Sequence, residues 1–193
     1  MEISTEVLKQ LRDKTGVSVM QCKKALEEAG GDVEKAEVIL RKKSGAAADK
    51  KSDRELGAGF IGSYIHDGQI GAMVLLSSET DFVSKNPEFG ALAKELAMQV
   101  AAGNPTYLTD TEIPEDAKKA ATDVFQKEVE GKPEEMKEKI LAGKLASYFE
   151  SSVLMNQPYI KDDSKTVRDL ITEASQKFGE RVEITKFARF SAR

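Results

Sequence analysis

Tryptophan is absent from this chain, histidine and cysteine occur once each, and aromatic residues make up only 6% of its 193 positions. A single cysteine, Cys22, cannot close an internal disulfide, and a single histidine, His66, cannot build a histidine-rich metal site. No apolar run approaches the ~18 residues of a membrane span. The start Met1-Glu2-Ile3-Ser4 lacks the pattern of a secretory signal, so the expectation is a cytoplasmic chain, or an organellar one after loss of a transit segment. A net charge of −4 supplies no general field for nucleic acid or for an anionic membrane. No G-x-x-x-x-G-K-[ST] phosphate loop is present. Ser63, Ser77 and Ser78 lie near His66 in sequence, but no nucleophile elbow surrounds them. The run Gly57-Ala58-Gly59-Phe60-Ile61-Gly62 matches G-x-G-x-x-G, yet it leads into a strand pattern instead of opening a helix, and the dinucleotide mechanism needs the helix start. No cofactor, no metal, no directly bound small molecule and no enzymatic activity are therefore expected.

What is present is ample core and ample charge, 40% apolar and 32% charged residues. The length suits one medium domain, or a small domain with a larger one. Residues 1–44 read as three short helices. Val7, Leu8 and Leu11 share a face of the first, which stops at Gly16. Ser18-Val19-Met20-Gln21 has a capping-box pattern and opens the second, where Cys22 falls between Met20 and Ala25 on an inward face. Gly30-Gly31 breaks the chain, and Asp32 can cap a third helix with Val33, Ala36, Ile39 and Leu40 inward.

Residues 41–54 are basic, with Arg41, Lys42, Lys43, Lys50, Lys51 and Arg54 against Asp49 and Asp53. This is a part-helical linker, assigned to 45–58, and reads either as a solvated connector or as a contact for RNA or an acidic surface. From Gly59 the period changes. Phe60 to His66 and Gln69 to Ser77 read as strands joined by an Asp67-Gly68 hairpin turn. Helices are expected near 87–102, 114–130 and 134–150, separated by Asn104-Pro105, Ile113-Pro114 and Gly131-Lys132-Pro133. Arg181 to Phe190 alternates, with Val182, Ile184 and Lys186 on one side. The fold class is α+β: a three-helix bundle, then a three-stranded antiparallel sheet covered by helices over 59–193.

One segment breaks local rules. Ser77-Ser78-Glu79-Thr80-Asp81-Phe82-Val83 follows the apolar run Ile70–Leu76 and precedes the turn signal Asn86-Pro87. Polar turn formers belong at such a junction, and a phenyl ring there needs a pocket. The pocket lies either in the chain's own core, under the following helix, or in a partner.

Three groups of residues resemble the elongation factor Ts family of the bacterial type. They are Leu11-Arg12-Asp13-Lys14-Thr15-Gly16 with Met20-Gln21-Cys22-Lys23-Lys24-Ala25-Leu26 and Gly30-Gly31-Asp32; Glu79-Thr80-Asp81-Phe82-Val83; and Gln157-Pro158-Tyr159, Thr166-Val167 and Phe187-Ala188-Arg189-Phe190. The resemblance implies an N-terminal bundle of the ubiquitin-associated type and a guanine-nucleotide exchange factor for elongation factor Tu. It implies that Asp81 and Phe82 enter near the partner's magnesium and phosphate site, flanked by Thr80 and Val83. It further implies that the bundle docks on the partner's nucleotide domain through Leu11, Arg12, Lys23 and Lys24, with His66 as a second core contact.

The chain departs from the family pattern at Ala58, where an acidic residue is usual, and at Ser77-Ser78, where Asn-Cys is usual. It has room for one core copy, whereas long members resemble a duplicated core with an inserted coiled coil. Ser63-Tyr64-Ile65-His66 is similar to a segment of the second copy. One copy per chain implies a homodimer formed by the core. Two other readings stay open: a general ubiquitin-associated adaptor, and an RNA-binding protein using residues 41–54.

Overall fold

The computed structural model describes residues 3–49, 51–129 and 133–192. In chain order the elements are α1 (Thr5–Thr15), α2 (Val19–Glu28), α3 (Val33–Asp49), β1 (Ala58–His66), β2 (Ile70–Ser78), α4 (Asp81–Ser84), α5 (Pro87–Gly103), α6 (Glu115–Glu128), α7 (Glu134–Glu150), β3 (Pro158–Tyr159), β4 (Asp162–Thr166), α8 (Val167–Phe178) and β5 (Val182–Ser191). Strands β1, β2 and β5 pair in that order as a three-stranded antiparallel sheet packed with helices, and β3 pairs with β4. This is the expected α+β class. The chain divides into two compact units, Met1–Phe60 with Leu76–Gly90 and Asp169–Thr185, and Ile61–Leu75 with Ala91–Arg168 and Lys186–Arg193.

The bundle in the first unit forms from local signals. The Ser4 hydroxyl accepts from the Val7 N–H at 3.3 Å and that of Ser18 from Gln21 at 3.4 Å. Asp32 accepts from the Lys35 N–H at 3.0 Å. Each satisfies a backbone donor that a helix start leaves unpaired. Gly16, at φ 68°, ends α1 in the left-handed conformation that costs glycine nothing. The enclosed core is Leu11, Val17, Cys22, Ala25, Leu26, Ala36 and Leu40. Burial raises the Cys22 thiol pKa, as suits a small core residue.

Met20 departs from the expectation. It is 71% exposed, because two residues along a helix turn the side chain about 200° away from Cys22. Helix α3 continues to Asp49, so the basic stretch is helical in its first part. Lys50, Gly131 and Lys132 lie outside the described residues.

In the second unit Asp67 and Gly68 make the hairpin turn, with φ 49° and 67°. Gly62 explains part of the glycine run that precedes the hairpin. A Cβ there would lie 2.1 Å from the Ala93 carbonyl oxygen, so β1 and α5 touch backbone to backbone. Ala72 and Val74 are buried, whereas Ile61, Ile65 and Met73 are exposed, so this stretch of strand has one covered and one open side.

A glutamine pair locks the far end of α5. Gln99 Nε2 donates to Gln157 Oε1 at 3.0 Å, and Gln157 Nε2 donates to the Gly103 and Ser151 carbonyls at 2.9 and 2.6 Å. Tyr159 donates to Glu95 at 2.7 Å, and burial, with that carboxylate second, pushes the phenol pKa up. The alternation expected of the last strand holds for the buried Val182 and Ile184 and lapses at Lys186, which is exposed. An ammonium without a partner is too costly to bury.

Candidate functional site: the Thr80–Val83 tip

The tip begins where β2 stops being a strand. Leu76 and Ser78 are fully buried, and the Ser77 and Thr185 hydroxyls share a hydrogen bond of 2.6 Å. The Ser78 hydroxyl then donates to the Thr80 carbonyl at 3.0 Å, which starts the turn. Glu79 faces inward to a basic pair. It accepts from the Arg54 guanidinium at 3.1 Å and from the Arg181 N–H, while the Arg181 guanidinium holds the Arg54 carbonyl. Partial burial raises the Glu79 pKa, but the Arg181 N–H and then Arg54 outweigh it, and the carboxyl titrates below its ordinary range. Gly57 lets this approach happen, since a Cβ on it would lie 2.9 Å from the Glu79 carbonyl oxygen.

After Thr80 the chain makes one helical turn, α4. Val83 and Ser84 point into the protein, at 4% and 7% exposure. Phe82 points out, at 83% exposure. The alternative in which its ring folds beneath the following helix does not occur; the buried ring there is Phe89, packed edge-on against Phe178 with ring centres 5.6 Å apart. Asp81 is exposed and pairs with Lys85 at 2.6 Å, and this hydrogen bond is the main reason its pKa is lowered. Asn86 ends the turn by accepting from the Glu88 N–H at 2.9 Å and so starts α5.

The remaining expected residues divide by burial. Arg12, Lys23 and Lys24 are exposed on α1 and α2. Leu11 is wholly buried, so it and Val83 support the surface from behind instead of presenting it. Met20 and Val19, 71% and 45% exposed, add an apolar patch on the helix that carries Lys23 and Lys24. The helical offset between Met20 and the buried Cys22 is the sequence signal for this outward placement.

His66 ends β1 in the second unit, where the Tyr64 hydroxyl lies 3.0 Å from Nδ1 and Asp67 lies 3.6 Å from Nε2. The tip belongs to the first unit.

Four of the six basic residues between 41 and 54 are already engaged: Arg41 with Glu173, Lys43 with Glu28, Lys51 with the Ser175 carbonyl and Arg54 with Glu79. Among the described residues, no group of three or more His, Cys, Asp or Glu side chains is placed to hold a metal ion. No helix there is long and apolar enough to cross a membrane.

The family model described as "Elongation factor TS" matches residues 5–193. Among similar proteins is the elongation factor Ts of Thermodesulfovibrio yellowstonii, 47% identical over 191 residues, which are 98% of this chain and 96% of that protein. That of Coprothermobacter proteolyticus is 44% identical over 194 residues, 99% and 98% of the two chains. That of Myxococcus xanthus is 45% identical over 192 residues, 98% and 88%. The matched stretch thus covers most of the length of each of these relatives.

Proposed function

The chain belongs to the elongation factor Ts family, a family of translation elongation factors, and from that premise we propose that it promotes GDP release from elongation factor Tu. The observation that carries this reading is Phe82, 83% exposed on a turn whose neighbours Val83 and Ser84 are buried. An exposed phenyl ring on an anchored turn brings large apolar area to a partner at small entropic cost. Asp81 beside it brings a carboxylate, able to accept N–H groups at a helix start or to disturb the hydrogen bonds around a magnesium ion.

The mechanism is differential binding. The tip fits the nucleotide-free partner better than the GDP-bound one, so its insertion near the magnesium and phosphate site weakens GDP, and GDP weakens it in return. No bond in the nucleotide is made or broken. Exposed Arg12, Lys23 and Lys24, together with Met20, form the docking face of the bundle, and the chain after α3 tethers that face to the core. His66 supplies a second contact. The reading places the protein in the cytoplasm, with neither nucleic acid nor membrane as a partner. Engagement of most of the basic stretch within the chain leaves the RNA reading with little to stand on.

Two copies are proposed to act together, paired through the open side that carries Ile61, Ile65 and Met73, residues 65%, 71% and 48% exposed. Release of labelled GDP from elongation factor Tu, with and without micromolar protein, tests the main claim; an unaltered rate would reject it. Light scattering tests the pairing: a species near 21.1 kDa, not about twice that, at tens of micromolar would reject it.

A further inference from the structure

The orientation of the tip comes from outside the tip. Helix α4 has four residues, and an isolated turn that short has no stability of its own. Its N-cap residue is Thr80, a type that normally turns its oxygen back onto the helix start. Here the side chain makes no such bond. The Thr80 hydroxyl instead donates to Glu180 Oε1 at 2.6 Å, and the Thr80 N–H donates to Glu180 Oε2 at 3.0 Å. Both oxygens of one carboxylate therefore grip both donors of one residue, across 100 positions of sequence.

Glu180 is half-buried and follows Gly179, whose φ of 75° turns the chain out of α8. The end of α8 is itself fixed, by Phe178 against Phe89 and by Lys177 paired with Glu88 at 2.7 Å. The grip thus has a rigid base.

We propose that Glu180 is a positioning residue for nucleotide exchange, its carboxylate holding Thr80 so that Asp81 and Phe82 project in one direction; this rests on the tip being the exchange element. Bonds to an ionised acceptor are shorter and stronger than neutral ones, and two from one residue remove its freedom to rotate. Without Glu180 the Thr80 hydroxyl is released to bond locally, and the first turn of α4 gains alternative arrangements.

The absence of tryptophan gives a direct test. In Phe82→Trp the only indole in the protein reports motion at the tip before any partner is added. Adding Glu180→Ala lowers the anisotropy of that indole and leaves the unfolding midpoint within a few degrees. Glu180→Gln, which keeps one carbonyl acceptor, stays nearer the parent.

With Phe82 in place, Glu180→Ala lowers the limiting rate of GDP release from elongation factor Tu by about tenfold at saturating protein. The concentration for half-maximal rate changes less than about twofold, because the docking face of the bundle is intact, and Glu180→Gln recovers most of the rate. Should Glu180→Ala fail to fold, Thr80→Val removes the hydroxyl donor alone and is read by the same two measurements, with an effect of about threefold. Unchanged anisotropy overturns the proposal, as does lowered anisotropy with an unchanged limiting rate. A parent protein that releases no GDP refutes the exchange reading instead, and the anisotropy then decides by itself whether Glu180 holds the tip.

Discussion

In the bundle, the helix starts are satisfied by Ser4, Ser18 and Asp32, each three residues from the N–H it accepts. In the tip, Thr80 leaves its own helix uncapped and reaches Glu180. The bundle draws its core from a continuous stretch between Leu11 and Leu40, whereas the tip is gripped by Arg54, Glu180 and Arg181. A region built from neighbouring residues can form as soon as it is made. A region built from distant residues exists only once the rest has folded, and it can hold a turn that local preference would not choose. Damage to the bundle should therefore appear as lost stability, and damage to the tip as lost exchange.

The largest effect is expected at Leu26, fully buried in the bundle. Leu26→Ala should cost about 2–5 kcal/mol, the usual range for a leucine deleted from a core. Calorimetry checks this, and a midpoint near that of the parent would mean that the bundle core is looser than its packing implies.

Phe82→Ala is the opposite case. Its ring is 83% exposed, so the midpoint should hardly move. Stimulated GDP release should fall by more than roughly thirtyfold, since an aromatic anchor in a desolvated pocket contributes about 2 kcal/mol or more. Lost stability with exchange kept in the folded fraction would reverse the assignment of this residue.

Glu79 sharpens the comparison through pH. Its pKa is lowered in the folded state. A carboxyl depressed in this way stabilises above its unfolded pKa, near 4.3, and the contribution is lost as pH falls through the folded value. The stability gap between the parent and Glu79→Gln should stay level from neutral pH to about 5, then close on further acidification. A gap that widens in acid would assign the wrong sign to this contact. The smallest effect is expected at Ser18, where Ser18→Ala removes one cap and should cost about 1 kcal/mol, measured by urea titration.

Much of the architecture was legible because its signals are short in range. Ser18, Gly16 and Asp32 announce the helix ends within a turn, and Asp67-Gly68 needs only its own φ values to make the hairpin. The three long helices after Asn86 were readable from their proline and glycine boundaries. Helix α8, absent from the elements expected from sequence, carries Val167, Ile171 and Ala174 at helical spacing, all buried, and is legible in principle from that spacing. The β3–β4 pair was not legible. Asp162, Asp163 and Ser164 have little strand preference, and the two-residue link Ile160-Lys161 carries no Asn-Gly or Asp-Gly turn signal to announce the pair.

The residues at the tip divide in the same way. The oddity of a phenylalanine after an aspartate marks the place in the sequence, and the family pattern marks it again. Which of Phe82 and Val83 faces out could not be read from the order of the letters, because one turn of helix has no periodicity to count.

By itself, then, the sequence determined the α+β class, the bundle with its caps, the hairpin and the identity of the tip as an exceptional segment. Each of these depends on residues a few positions apart, where backbone preference and hydrogen bonding act without help. Only the tertiary structure decided that Phe82 projects, that Val83 and Leu11 support from within, and that Glu180 and Arg181 are the residues that grip the turn. Those outcomes depend on groups 100 and 102 positions apart meeting within hydrogen-bond distance. No local pattern encodes such a meeting; it is set by the packing of everything between them.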